Sequence, residues 1–347
     1  MYLFHNDYNE CCHGDILNKL TAIQYQQMPG YGMDLYCNNA ASLIRKHCKD
    51  ESVAVHFLVG GTQTNLTVIA AALRPHQAVL CANTGHINVH ETGAVEATGH
   101  KVVSLSSDDG KLTAEQIDQV IRLQNEDESA EHIVQIKMVY LSNPTELGTI
   151  YTLNELENIS ATCKKHGLYL FVDGARLGYA LTAKNNDITL ADMTRLCDVF
   201  YIGGTKCGAM FGEAVVIPCS QIAEDFRYLI KQRGGMLAKG WLLGVQFESL
   251  FESGLYFEIT ERANRMADQL RSTLADLGYK LFVETTTNQV FPVLPNRILE
   301  QLSGRFTFMV QEKLSDNHSV VRFCTSWATT QESIDALCDA LKQSTKA

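Results

Sequence analysis

Two kinds of hydrophobic pattern alternate along the chain from about residue 35. Short continuous apolar runs, rich in β-branched residues, occur at Val53–Val59, Val79–Ala82, Lys101–Leu105, Ile136–Leu141, Leu168–Asp173, Val199–Gly203 and Ala214–Ile217. Between them lie segments with apolar residues at helical spacing: Leu35–Cys48, Thr64–Leu73, Thr113–Gln124, Leu153–His166 and Thr189–Leu196. Apolar runs without in–out alternation mark strands covered on both faces. Alternating with helices, they predict βαβ units around a mainly parallel, seven-stranded sheet, an α/β fold.

After Pro218 the pattern changes. Ile222–Leu250 reads as almost wholly helical, interrupted at Gly234-Gly235, and Tyr256–Leu277 reads as a further long helix. Strands are predicted near Lys280–Val283, Gln289–Leu294 and Ser319–Thr325, with a helix near Asn296–Leu302. This divides the chain into a large domain over residues 1–251, N-terminal segment included, and a smaller α+β domain over 252–347.

Bulk properties narrow the function classes. The net charge of -10 argues against a nucleic-acid partner. No stretch is apolar and long enough to suggest a membrane span, and the N-terminal residues lack a leader pattern. The eleven cysteines include no CxxC pair, so no metal site is expected. Reduced thiols and a cytoplasmic location fit this usage.

Three strand ends carry candidate chemistry. The first run leads into Gly60-Gly61-Thr62-Gln63-Thr64-Asn65. Two glycines before a helix start allow close backbone approach to an anion, with free N–H groups and the Thr62 hydroxyl facing it. This is neither GxGxxG nor a P-loop, and it suits a single phosphate. A plain strand–helix turn capped by Thr62 would look the same. The second is Asp173-Gly174-Ala175-Arg176. A carboxylate ending a buried strand needs a cationic or protonated partner, either a protonated ring nitrogen or Arg176 itself. The third is Gly203-Gly204-Thr205-Lys206, where small neighbours leave room around an amine. A desolvated lysine there would attack an aldehyde; a surface lysine is the plain alternative. Ligands of parallel α/β sheets gather at the carboxyl ends of strands. Taken together, these three ends match the phosphate, ring nitrogen and aldehyde of pyridoxal 5'-phosphate.

These motifs, with Phe4-His5-Asn6-Asp7-Tyr8, Gly30-Tyr31-Gly32-Met33-Asp34, the segment His86–Ala94, Thr145–Tyr151 and Val321-Arg322-Phe323, resemble the threonine aldolase/β-eliminating lyase family in order and spacing. Within it, the chain is most similar to the low-specificity, phenylserine-aldolase-like subgroup. The resemblance implies the aspartate-aminotransferase-like (fold type I) architecture and retro-aldol cleavage of a β-hydroxy-α-amino acid to glycine and an aldehyde. It further implies Lys206 as the cofactor-linked lysine, Asp173 on the pyridine nitrogen, and Gly61 and Thr62 at the phosphate, with Thr205 also cofactor-binding. His86 is implied to stack on the ring and is the first choice of base, with His90 or a water behind it. Asn6, Arg176 and Arg322 are implied to face the substrate carboxylate or the phenolic oxygen. Two departures stand out. Thr145 occupies a place where many members carry histidine, and Gly234-Gly235-Met236 is followed by Leu237, so that Lys239 is the nearest base. Lys239 is expected at a phosphate, its own or a neighbouring subunit's. Tyr31 is expected to reach a partner's site in a homotetramer built from dimers. A β-eliminating lyase, or a cofactor-binding protein without aldolase turnover, is the alternative reading.

Overall fold

The computed structural model describes residues 1–346. All seven predicted sheet strands form: β1 (Ala54–Leu58), β2 (Gln77–Ala82), β3 (Val102–Leu105), β4 (Gln135–Ser142), β5 (Tyr169–Asp173), β6 (Val199–Gly203) and β7 (Glu213–Ile217). They pair in one sheet in the order β1-β7-β6-β5-β4-β2-β3. β7 runs antiparallel to both neighbours, and the other pairings are parallel. Alternate residues of the central strands feed two apolar clusters. Val139, Leu141, Leu170, Val172, Phe200 and Ile202 join one; Met138, Tyr140, Phe171, Val199 and Tyr201 join the other. Both faces are therefore covered, as the continuous apolar runs require.

The region after Pro218 differs from its sequence pattern in three places. Ile222–Leu250 is not one helix but Ser220–Ala223, Phe226–Gln232 and Trp241–Glu252. Gly234 sits at a φ of 74°, which ends the second of these, and the backbone of 233–240 runs on without helix. Lys280–Val283 is not a strand. Leu281 makes only an isolated bridge to Pro292, bracketed by the Phe282 N–H to the Phe291 carbonyl at 2.8 Å and the Val293 N–H to the Lys280 carbonyl at 2.9 Å. Conversely, Met309–Lys313 pairs antiparallel with His318–Cys324 although every one of its residues is exposed. Four helices, Gly14–Ala22, His86–Val89, Leu177–Leu181 and Gln331–Lys346, lie outside the predicted elements.

The helix Leu255–Asp276 serves two cores. Its first half gives Tyr256, Ile259 and Ala263 to the sheet core; its second half gives Ala267, Leu270 and Leu274 to a C-terminal cluster with Leu294, Phe323 and Leu337. Phe4 is buried in that same C-terminal cluster, and Tyr2–Leu3 pairs parallel with Phe306–Thr307. The N-terminal segment thus docks on residues from the far end of the chain before it turns toward the sheet. No helix among the described residues is long and apolar enough to cross a membrane.

Candidate active site

A cleft of about 340 Å³ opens at the carboxyl ends of the parallel strands. Gly61 and Thr62, Asp173 and Arg176, and Thr205 and Lys206 all line it, so the three strand ends meet in one place. Close backbone approach makes this possible. A Cβ on Gly174 would lie 1.8 Å from the Tyr201 carbonyl oxygen, and one on Gly203 would lie 2.3 Å from that of Ala175. Only glycine at both positions lets the chains leaving β5 and β6 run side by side. That contact brings Asp173 and Lys206 to one cleft.

The helix Gly61–Ala72 begins at the cleft wall with Gly60 as its N-cap and no side chain capping it. Its first N–H groups are left for an anion, in the field of the helix dipole. Gln63 braces the turn: its side chain accepts from the Val59 N–H at 3.3 Å and donates to the Arg233 carbonyl at 3.2 Å.

Asp173 is buried and held by neutral donors. Oδ2 accepts from the Tyr140 hydroxyl at 2.5 Å and the Asn65 amide at 3.1 Å; Oδ1 accepts from the Ala175 N–H at 2.9 Å. Burial pushes its pKa up, but the nearby His86 ring and hydrogen bonds from Tyr140, Tyr201 and the Ala175 N–H more than reverse this, leaving it below the ordinary value. The result is a fixed anion aimed into the cleft without a cation of its own. Arg176 is not its partner. The guanidinium instead forms a two-point ion pair with Asp7, Nε to Oδ2 at 2.7 Å and Nη2 to Oδ1 at 3.0 Å. Asn288 donates to the same Asp7 carboxylate at 2.9 Å.

Lys206 is half-buried at the cleft floor. Burial lowers its pKa, the Arg176 charge lowers it further, and Asp7, Asp173 and Glu213 oppose them without winning. An amine so placed is readily neutral and nucleophilic. His86, on the cleft wall, hydrogen-bonds through Nδ1 to Glu91 Oε1 at 2.7 Å. Asn65 donates to the same Glu91 oxygen at 2.7 Å, so one amide ties the His86–Glu91 pair to Asp173. The His90 ring lies 5.6 Å from that of His86 and is exposed. Thr145 lines the cleft where many members of the resembled family carry histidine.

Other expected residues lie apart. Lys239 is exposed and Tyr31 is 48% exposed, and neither lines the cleft. Asn6 is buried and accepts from the Tyr8 N–H at 3.1 Å, while Tyr8 itself reaches the cleft. Arg322 donates to the His5 carbonyl at 3.0 Å, and its Nε is buried without a partner. Sequence reasoning did not single out Asp7, Asn65, Glu91, Tyr140 or Glu213. Three of them stand inside recognisable motifs, and a glutamate heading the apolar Ala214–Ile217 run was itself a signal.

The residues fit pyridoxal phosphate. An unpaired buried carboxylate, a desolvated amine and an uncapped helix start converge on one cleft, matching the cofactor's ring nitrogen, aldehyde and phosphate. Comparison with known proteins agrees. Residues 22–296 match the model of the β-eliminating lyase family. The chain belongs to this family. It is 32% identical over 316 residues to a low specificity L-threonine aldolase of a Pseudomonas species, covering 88% of this chain and 87% of that one. A second such aldolase, from Pseudomonas aeruginosa, is 32% identical over 314 residues, with the same shares covered. A solved threonine aldolase structure from Leishmania major superposes with a TM-score of 0.97 at 47% identity, over 99% of this chain and all of that one. Thermus thermophilus aspartate aminotransferase shares the fold alone, with a TM-score of 0.73 at 15% identity over 99% of this chain and 91% of that one.

Proposed function

We propose that this lyase is a pyridoxal-phosphate-dependent, low-specificity aldolase that cleaves threonine, allo-threonine or a related β-hydroxy-α-amino acid, phenylserine included, to glycine and an aldehyde. The meeting of Lys206, Asp173 and the Gly60–Thr62 helix start in one cleft carries this reading. The bound cofactor supplies an electron sink for negative charge developing at the substrate's Cα.

The chain's own residues do the rest. Gly61 and Thr62 hold the phosphate end, Thr205 lines the cofactor cleft beside Lys206, and the Asp173 anion keeps a proton on the ring nitrogen. Lys206 provides the linking amine. Glu91, accepting from Nδ1–H, fixes the His86 tautomer with a free lone pair on Nε2. That lone pair takes the proton from the substrate's β-hydroxyl as the Cα–Cβ bond opens. Arg322 and the edge of Arg176 left free by Asp7 orient the substrate carboxylate, with Asn6 supporting the loop beneath. The assembly is a homotetramer, a dimer of dimers. The exposed Tyr31, Met33, Leu35 and Tyr228 supply an apolar contact surface beside Lys239, which would then serve a neighbouring phosphate. Eleven free cysteines suit the reducing cytoplasm.

Product analysis on cofactor-loaded protein tests the reading. Threonine and phenylserine should yield glycine with acetaldehyde or benzaldehyde. Ammonia with a keto acid would instead mark a β-eliminating lyase. Lys206→Ala should lose both turnover and the visible absorbance of the lysine-bound cofactor.

A further inference from the structure

Glu213 is the acid that the reaction outlined above leaves unused. It sits at the start of β7, in register with Leu58 on one side and Gly203 on the other. Those two residues lead into the phosphate-binding turn and the lysine-bearing turn respectively. The side chain is 3% exposed and lines the cleft. Oε1 accepts from the Thr205 hydroxyl at 3.0 Å, and Oε2 accepts from the Gly204 N–H at 3.2 Å. The Gly204 and Thr205 N–H groups also reach the Gly212 carbonyl, at 3.0 and 3.1 Å. The Gly212 N–H returns to Thr205 Oγ1 at 2.9 Å. The loop from Gly204 to Gly212 is thereby closed on itself, and Lys206 projects from it.

Three acids act on Lys206: Asp7, Asp173 and Glu213. Asp7 is committed to Arg176 and Asn288. Asp173 is committed to Tyr140, Asn65 and the Ala175 N–H. Glu213 alone is bonded to the residue next to the lysine.

We propose that Glu213 is a positioning residue that aims Lys206 through Thr205 and, in its ionised form, helps hold a proton on the lysine nitrogen. The inference rests on Lys206 carrying the cofactor. Burying a carboxylate between backbone turns has no packing benefit that an apolar residue would not give better, so the charge serves its neighbour. The two groups titrate together, and the Glu213 charge builds as pH rises through its raised value. Burial pushes Glu213 up to about 8, against the pull of Lys206 and the Thr205 hydrogen bond and with the push of Asp173. Burial and Arg176 push Lys206 down. The other titratable groups near the pair are Arg176, neutralised by Asp7, the His86 ring beside Asp173, and the buried Tyr201, Cys207 and Tyr256.

The test is a pH titration of the visible absorbance of the cofactor-loaded enzyme, with kcat measured alongside, for Glu213→Gln and Glu213→Ala. Glutamine keeps an acceptor oxygen for Thr205 but no charge. Both variants should lower the titration midpoint of the lysine nitrogen by about 1 pH unit, the smaller end of what one removed neighbouring charge does. Glu213→Ala should also lose about tenfold in kcat, and more than Glu213→Gln, because the lysine is no longer aimed. A midpoint that stays or rises in Glu213→Gln overturns the proposal, as does equal kcat in the two variants. Lys206→Ala, run in parallel, must show no such absorbance; if it does, the assignment of Lys206 falls first.

Discussion

Asp7 shows how a single residue can be essential to a site it does not touch. It is fully buried, and two bonds to Arg176 and one to Asn288 satisfy it. Desolvation pushes its pKa up, but the charges of Arg176 and Lys206 and the hydrogen bonds from Arg176 and Asn288 more than reverse this, so it lies below the ordinary value. A depressed folded-state pKa contributes stability that is fully present above the unfolded value. That stability is lost as pH falls below about 4, where the unfolded chain takes up the proton first. Asp7→Asn should therefore unfold less steeply with acid than the parent. Near neutral pH it should be less stable by about 3–5 kcal/mol, because Arg176 is left buried and unpaired. Denaturant midpoints at pH 7 and at about pH 3 would show both effects. The same residue marks what the sequence could not disclose. Lys206 and Asp173 were readable because each directly follows an apolar run. The partner of Arg176 was not, because 169 positions separate it from Asp7. Asp173–Arg176, the pairing that proximity in sequence favours, does not form.

Among elements, the seven sheet strands were legible because a strand buried on both faces must be apolar throughout. Their order was not, since pattern alone does not say that β7 inserts between β1 and β6. The edge strand Met309–Lys313 escaped because an exposed strand has no hydrophobic signature. The apparent strand at Lys280–Val283 shrinks to a single bridge with Pro292, a partner that only the fold brings opposite it. Glycines at the strand exits carry the geometry of the cleft. Gly174→Ala would force a methyl into the Tyr201 carbonyl and separate the ends of β5 and β6. It should cost about 1–3 kcal/mol or more, as overpacking does. It should also weaken cofactor retention on dialysis, whereas a change confined to stability would leave retention intact.

Across the whole molecule, the N-terminal segment joins parts that the sheet alone leaves separate. Phe4 is buried with Phe306 and Phe323, Asp7 lies beneath Arg176, and Tyr8 lines the cleft. Phe4→Ala should cost about 3–5 kcal/mol in global stability. It should also lower catalytic efficiency, because Asp7 and Tyr8 follow it in the same N-terminal segment; calorimetry and steady-state kinetics would register the two losses together. The composition of this segment gives no hint of the role, which depends on contacts at the opposite end of the chain.

Those contacts set an order of events during synthesis. Asp7 leaves the ribosome before any sheet strand, yet Asn288, which donates to its carboxylate, lies 281 positions later, and the Cys324 N–H that pairs with the Phe4 carbonyl comes later still. A nascent chain can complete its parallel sheet while the arm that closes the cleft has nowhere to dock. The arm is therefore the first part of the chain to be made and among the last to find its place.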